Sequence, residues 1–527
     1  MKRLMIGAAA LAILTGCGGQ SSDDTGLVEQ TLKEITVRAG DPAEAAAALT
    51  AMNLSQSGAG PLNFADSSLD GAKAVFTDLT IGGSDALTAS EMTLEGLDMV
   101  DGVASFGKLT ISDVTLSDEE NDEGSIALGS LEMINPSPEL ATWLAATLNG
   151  QEAAFPSADK VSFDSWSISD LTGEFEDEEA NGTIGIGKIE IRDMGDLKAA
   201  RALMSDISFD ILTLEEDVPL TFSVDKLQGN NLDAKFVTAI QENIEDEEAM
   251  MAAIMDIAYE NPMDPGYDRL LMENMKLAVG GIDFALPSID ARVQRNGAGQ
   301  PVKYVTKPYE MTLKADAEGA YGSELLQGLS VIGYEELTLK GESLADYDPD
   351  KDIISFDAKK NYLTLVDGAT LRFGGKIEGY EAYSREAATA FDFAALAEGE
   401  EPDPMAMQEA MGKMTIHKFE FTLDDDSLID RAINAAATMQ GQDPAQMKAQ
   451  INMGLGMAPM MAGQVPGLDV ALLTDTTSAL GKLISDGGSL TIKMEPSTPL
   501  NIGAAMANPD PANFTKSSLG YSATHKK

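Results

Sequence analysis

Apolar and polar residues alternate with period two through much of the chain, the pattern of strands with one wet and one buried face. The alternation is also repeated. Lys108-Leu109-Thr110-Ile111-Ser112-Asp113-Val114-Thr115 is matched by Ser165-Trp166-Ser167-Ile168-Ser169-Asp170-Leu171-Thr172. Each run leads into an acidic loop, Asp118 to Glu123 and Glu174 to Glu179. Each then returns as a second alternating run, Ser125–Glu132 and Thr183–Glu190. Helical segments are expected next, around Pro138–Leu148 and Asp196–Met204. The unit is strand, acidic turn, strand, helix. Weaker copies fall at Ile207–Leu227, ahead of a helical Ala234–Tyr259, and at Met275–Val293. Such a unit exposes an apolar stripe it cannot bury alone, so the two clear copies are expected as adjacent hairpins of one sheet. Ile111, Val114, Ile126 and Leu128 then need cover from neighbours or helices, and partial cover would leave an elongated apolar trough. Gly185 and Gly187 inside a strand indicate close packing or a bend.

From Tyr334 the pattern changes. Glu336–Ser343, Ile353–Val366, Ala369–Gly379 and Met414–Leu423 read as strands, with Gly399-Glu400-Glu401-Pro402-Asp403-Pro404 as a linker. Asp426 or Ser427 caps a helix through Met439, and Asp443-Pro444 opens the next one, proline being suited to the first helical position. A last helix, about Val470–Ile484, ends at Asp486-Gly487-Gly488, and Ser489–Met494 closes as a strand before Pro496 and Pro499. The expected fold class is α+β: a long curved antiparallel sheet of repeated hairpins with short covering helices.

The N-terminus carries Lys2 and Arg3, an apolar stretch Leu4–Leu14, and then Thr15-Gly16-Cys17. A basic start, a short apolar run and small residues form a secretory signal, too short for a finished transmembrane helix. Cys17 is the chain's only cysteine, so no disulfide framework exists. The run Leu14-Thr15-Gly16-Cys17 resembles the bacterial lipobox. The resemblance implies cleavage before Cys17 and acylation of its thiol and new amine. Gly18, rather than aspartate, follows the cysteine, which in that family implies the periplasmic face of the outer membrane rather than the inner membrane. Gly18-Gly19-Gln20-Ser21-Ser22-Asp23-Asp24 is a polar tether. The expected organisation is a signal peptide 1–16, a lipidated tether 17–30, a repeated hairpin-helix region 31–330, a strand-plus-helix region 331–505 and a flexible tail 506–527.

The formal net charge is -50, with 86 acidic and 36 basic residues. That balance repels nucleic acid and anionic lipid, so no nucleic-acid partner is expected. Hydrophobic residues make up 44% of the chain, too many for wholesale disorder.

Catalytic chemistry is sparse. The two histidines are His417, on a strand face with Phe419 and Phe421 and expected as a packed, hydrogen-bonded core residue, and His525, expected in a loose tail. No Ser-His-Asp arrangement, histidine-based zinc site or glycine-rich phosphate loop is present. Asp346, Asp348, Asp350, Asp352 and Asp357 fall at positions one, three, five, seven and twelve of a calcium-loop spacing. Lys351 stands where the loop needs glycine, so an Asp-Pro-Asp hairpin turn without a tight calcium site is expected. Met453, Met457, Met460 and Met461, and Met405, Met407, Met411 and Met414, cluster in a way that invites a Cu(I) thioether reading, but methionine on a helix with Ile451 and Leu455 is expected as core filling or an adaptable apolar surface. No cofactor is expected.

Tyr347–Asp357, Asp426-Ser427-Leu428-Ile429-Asp430-Arg431, and Ser489-Leu490-Thr491-Ile492-Lys493 with Pro496 and Pro499 resemble segments of uncharacterised envelope proteins of alphaproteobacteria. The resemblance spans Tyr334–Ile502 and carries no activity. The upstream strands are similar in style to AsmA-like and YdgA-like periplasmic proteins, which build long curved sheets. The expected role is a lipid-anchored envelope protein, not an enzyme, that binds a hydrophobic ligand or envelope partner. The alternative is a structural or adhesion-type lipoprotein, calcium-associated, without a ligand cavity.

Overall fold

The computed structural model describes residues 32–58, 62–81, 87–117, 124–148, 153–176, 180–213, 218–233, 235, 257, 261–390, 404–462, 469–507 and 510–527. Cys17, the signal and tether segments, the loop Asp118–Glu123, the linker up to Asp403 and nearly all of Ala234–Tyr259 lie outside these residues. Two compact units are distinguished, one within 25–241 and 266–280, the other within 242–265 and 281–527.

The first unit is an antiparallel meander. Its main strands are β1 (Lys73–Ile81), β2 (Leu87–Glu95), β3 (Lys108–Ser117), β4 (Gly124–Ile134), β5 (Phe163–Glu176), β6 (Ala180–Gly195), β7 (Lys198–Thr213), β8 (Val218–Asp233) and β9 (Arg269–Val279). Each pairs with the next in sequence. The two clear sequence repeats are β3–β4 and β5–β6, and β4 pairs with β5, so they are adjacent hairpins of one sheet as expected. Helices α1 (Ala45–Ala51) and α2 (Pro138–Leu148) pack Ala48, Leu49, Leu140 and Ala141 onto Phe76, Met92, Leu94 and Leu109.

An exposed row of left-handed residues crosses this sheet on alternate strands: Asp78 (φ 50), Asp113 (φ 51), Asp170 (φ 53), Asp206 (φ 53) and Asn274 (φ 53). Asp and Asn enter this region more readily than other side chains because they bond locally. Gly129 faces Asp170, where a Cβ on the glycine would come within 3.0 Å of the Asp170 side chain, and Gly187 faces Asp206 at 2.9 Å. The left-handed turn restarts the alternation out of phase. Residues three apart are therefore buried together, as in Phe76 and Leu79, Ile111 and Val114, and Met204 and Ile207. Two apolar ladders result. One runs Met92, Ile111, Leu131, Ile168, Ile189, Met204, Leu227, Met272 from β2 to β9. The other runs Val114, Leu128, Leu171, Ile186, Ile207, Val224 from β3 to β8.

The expected α+β class is corrected, because the described residues are dominated by antiparallel strands. The clearest reversal is Asp196–Met204. Lys198-Ala199-Ala200-Arg201-Ala202-Leu203-Met204 favours a helix by propensity but lies in β7, hydrogen-bonded on both sides. Sheet pairing overrides local preference here. Asp196 (φ 49) and Leu197 (φ 60) form the two-residue hairpin turn, both left-handed, whose twist suits antiparallel strands.

The second unit contains β10 (Ile282–Arg295), β11 (Pro301–Ala315), α3 (Gly322–Val331), β12 (Glu336–Asp348), β13 (Ile353–Phe356), β14 (Tyr362–Leu365), β15 (Ala369–Glu378), α4 (Tyr380–Ala390), α5 (Pro404–Met411), β16 (Thr415–Asp425), α6 (Leu428–Gln440), α7 (Pro444–Ala462), α8 (Val470–Asp486), β17 (Gly488–Met494), β18 (Leu500–Asn501), α9 (Ile502–Ala507) and β19 (Ser522–Lys526). β10, β11 and β12 pair in turn, β13 and β14 both bridge β12 to β15, and β15 leads through β16 and β17 to β19. Asp469 caps α8, accepting from the Ala471 N–H, and α8 packs Ala479 and Leu483 on Leu490. Residues after 506 were expected as a flexible tail, yet Ser522–Lys526 completes the sheet and places Ala523 against the same cluster.

Candidate functional site

The aspartates at calcium-loop spacing do not converge. Asp348 pairs with Ile353, closing a hairpin over Pro349–Asp352. Asp348 accepts from Lys351 Nζ at 2.5 Å, and that hydrogen bond holds its carboxyl below the usual range. Asp346 lies 3.8 Å from Lys303 Nζ, and Asp357 accepts from the Lys359 N–H at 2.9 Å. Asp352 faces the start of α4, where its two oxygens take the N–H groups of Glu381 (2.8 Å) and Ala382 (3.3 Å). The buried Tyr347 hydroxyl sits 3.2 Å from Asp352 and 3.0 Å from Glu381. Burial first, and then these two carboxylates, push the phenol well above its usual range. The residues thus build a turn, an ion pair and a helix cap. Among the described residues no group of three or more His, Cys, Asp or Glu is arranged to hold a metal ion.

His417 is not a core residue. The β15–β16 register passes from Lys376↔Lys418 to Ile377↔Ile416, leaving His417 as the extra residue of a bulge. Its Nε2 lies 2.8 Å from Glu378. His525, in β19 rather than a loose tail, places Nε2 2.7 Å from the Gly487 carbonyl.

Three methionines of α7 lie on the surface, whereas Met447 of the same helix fills a core cluster with Ile433 and Ala437. Met453, Met457 and Met460 are 63%, 52% and 76% exposed. Their spacing of four and then three puts them on one helical face. Met405 of α5 is also exposed. Beside α7, a groove of about 470 Å³ opens between it and α8, lined by polar groups such as Asn452, Thr477 and Lys482 together with Leu455 and Pro459.

A charged cluster on β6 and β7 was not anticipated from sequence. Glu190 is only 7% exposed. It takes hydrogen bonds from Lys188 Nζ at 2.8 Å and from Arg201. Burial alone would raise its carboxyl, but the two cations outweigh that and hold it below the ordinary value. Arg192 sits directly across from Arg201 and donates to the Lys33 carbonyl at 2.9 Å. The misread helix hid this pairing. The sequence signal was the Gly195-Asp196 turn, from which counting outward sets Arg192 opposite Arg201. The second unit holds a comparable group, in which buried Asp290 meets Arg292 (2.7 Å) and Lys307 (3.0 Å).

A family model described as an uncharacterized protein matches residues 362–526, from β14 to β19. A search of curated proteins finds no match. No helix among the described residues is long and apolar enough to cross a membrane.

Proposed function

We propose that this is a lipid-anchored protein of a bacterial cell envelope that binds a hydrophobic ligand or envelope partner and is not an enzyme. The anchor rests on the lipobox-like run ending at Cys17, which makes acylation the means of attachment. Under the same resemblance the address is the periplasmic face of the outer membrane. The binding role rests on one observation: a single face of α7 holds Met453, Met457 and Met460 in solvent. Unbranched thioether side chains adapt to partners of varied shape, and methionine-rich surfaces are a recurrent means of apolar recognition. The sheet's apolar ladders are a poorer candidate, because Ile111, Val114, Leu171, Ile186, Met204 and Ile207 are already buried.

Two measurements test the reading. Intact mass and membrane fractionation of native protein should show a lipidated mature chain starting at Cys17, and Cys17→Ser should leave unprocessed precursor. A mature chain starting elsewhere without lipid removes the anchor. Native mass spectrometry should find a co-purifying hydrophobic species that is lost from the variant carrying Met453→Glu, Met457→Glu and Met460→Glu together. Retention of the same species by that variant moves binding away from α7. Absence of any such species favours the structural lipoprotein instead.

A further inference from the structure

We propose that Arg192 and Arg201 form a binding site for a phosphoryl oxyanion. The two are direct cross-strand partners on β6 and β7. Cα atoms so placed lie about 4.5–5.5 Å apart, and like charges directly opposite one another repel. The acid beside them is Glu190, which already serves Lys188 and Arg201. Arg192 meets only the neutral carbonyl of Lys33 among the described residues. The Nε groups of both arginines are buried without an acceptor. Two guanidiniums offer more donors than these partners consume, and their planar forks match the tetrahedral oxygens of phosphate.

The flanking residues extend the row of donors. Ser165 of β5 stands opposite Arg192, and Asn230 of β8 stands opposite Arg201. Gln228 occupies the Asn230 side-chain carbonyl at 2.9 Å, so the amide nitrogen is the end left for a ligand. Four adjacent strands thus present hydroxyl, guanidinium, guanidinium and amide in register. This positive centre belongs to a chain of net charge -50, where paired arginines short of acids run against the prevailing sign. An oxyanion between them supplies the missing countercharge.

The phosphoryl group can belong to a soluble ligand or a lipid headgroup. Lys33, which holds Arg192, lies sixteen residues beyond Cys17. Sixteen extended residues span at most about 58 Å, so on the lipid-anchor reading, which this clause alone uses, headgroups are within reach.

The test uses the full chain purified in detergent at low salt. Calorimetric titration with inorganic phosphate should show saturable binding. Arg192→Gln should weaken it at least about tenfold, as expected for loss of a charge-assisted bidentate contact, and Arg192→Lys should restore part of it. Arg192 makes one backbone hydrogen bond, so its variants should keep the wild-type melting temperature. Dihexanoyl phosphatidic acid, used below its micelle concentration, separates the sources: tighter binding than inorganic phosphate assigns a lipid headgroup, equal or weaker binding a soluble ligand. Absence of binding for both probes overturns the proposal, as does binding of equal strength in wild type and Arg192→Gln. Phosphate binding is read without reference to processing at Cys17, so failure of the anchor leaves this result interpretable.

Discussion

Glu190 shows how a single buried charge is made tolerable. Its carboxylate is desolvated, yet Lys188 and Arg201 together favour the ionised form, so its folded value lies below the ordinary 4.5. Folding therefore favours loss of the proton. The stabilisation is fully present above the unfolded value and disappears as pH falls through the lowered folded one. Glu190→Gln should cost about 3 kcal/mol at neutral pH, because it strands two cations beside a neutral group. It should also flatten the dependence of melting temperature on pH below 4.5. An unchanged acid limb in that variant would assign the titration to other carboxylates. Gly187 is constrained by contact rather than charge, since an added Cβ meets the Asp206 side chain at 2.9 Å. Gly187→Ala should destabilise by about 1–3 kcal/mol in urea titration, the usual cost of overpacking. Asp206 Cβ is itself one of the 2.9 Å contacts and does not move with side-chain rotation, so a neutral result would mean that the β6–β7 backbone yields at this point. Asp352 is spent on the α4 N-terminus. Calorimetry should accordingly show no calcium binding tighter than about 10 μM, and micromolar binding abolished by Asp348→Ala would reverse that reading.

At the scale of elements, β19 is the most instructive. It adds a strand to β17 and brings Ala523 onto Leu490, which is buried beneath α8. Deleting residues 521–527 should cost about 2–4 kcal/mol, from several ladder hydrogen bonds at about 0.5–1.5 kcal/mol each, and lower the melting temperature. An unaltered melting curve would show that β17 is stable as an edge. In sequence, Pro509, Pro511 and the basic end Lys526-Lys527 read as a loose tail, and the short, weakly apolar Ser522–Lys526 carries no strand signal against that reading. The repeated hairpins were legible for the opposite reason: period-two alternation and a repeated Ser-Asp-apolar-Thr run are local signals, and pairing between successive strands is local too. The phase restart at Asp113 and Asp170 was written in the same run, but a left-handed Asp inside a strand reads as an ordinary polar position until the backbone is seen. Asp196–Met204 is the exception among these hairpins: the Ala-, Leu- and Met-rich run Lys198–Met204 favours a helix by composition, and only its pairing with β6 and β8 overrides that preference. The same run hides the Arg192–Arg201 pairing. The spacing of the aspartates from Asp346 to Asp357 was legible, whereas their division among an ion pair, a turn and a helix cap depended on where α4 begins.

At the scale of the whole molecule, charge is the dominant feature. Ion pairs such as Lys108–Glu132 and Lys340–Glu310 offset acids locally across neighbouring strands. They leave a net charge of -50. Such an excess keeps copies of the chain apart in solution and also strains each folded copy, because compaction brings like charges closer than in the unfolded chain. Screening should relieve that strain. At 0.01 M ionic strength the Debye length is about 30 Å, comparable to a domain, and at 0.15 M it is about 8 Å, so only near neighbours still interact. The favourable contacts are mostly near neighbours and the unfavourable ones are mostly distant, so salt removes repulsion faster than attraction. Melting temperature should therefore rise as sodium chloride increases from 0.01 to about 0.15 M, and most of the gain should arrive before the shortest ion pairs are screened. A melting temperature that falls with salt would mean that local pairs, not global repulsion, govern stability. That outcome would point to Glu190 and Asp290, each held by two cations, as the charges on which the fold depends most.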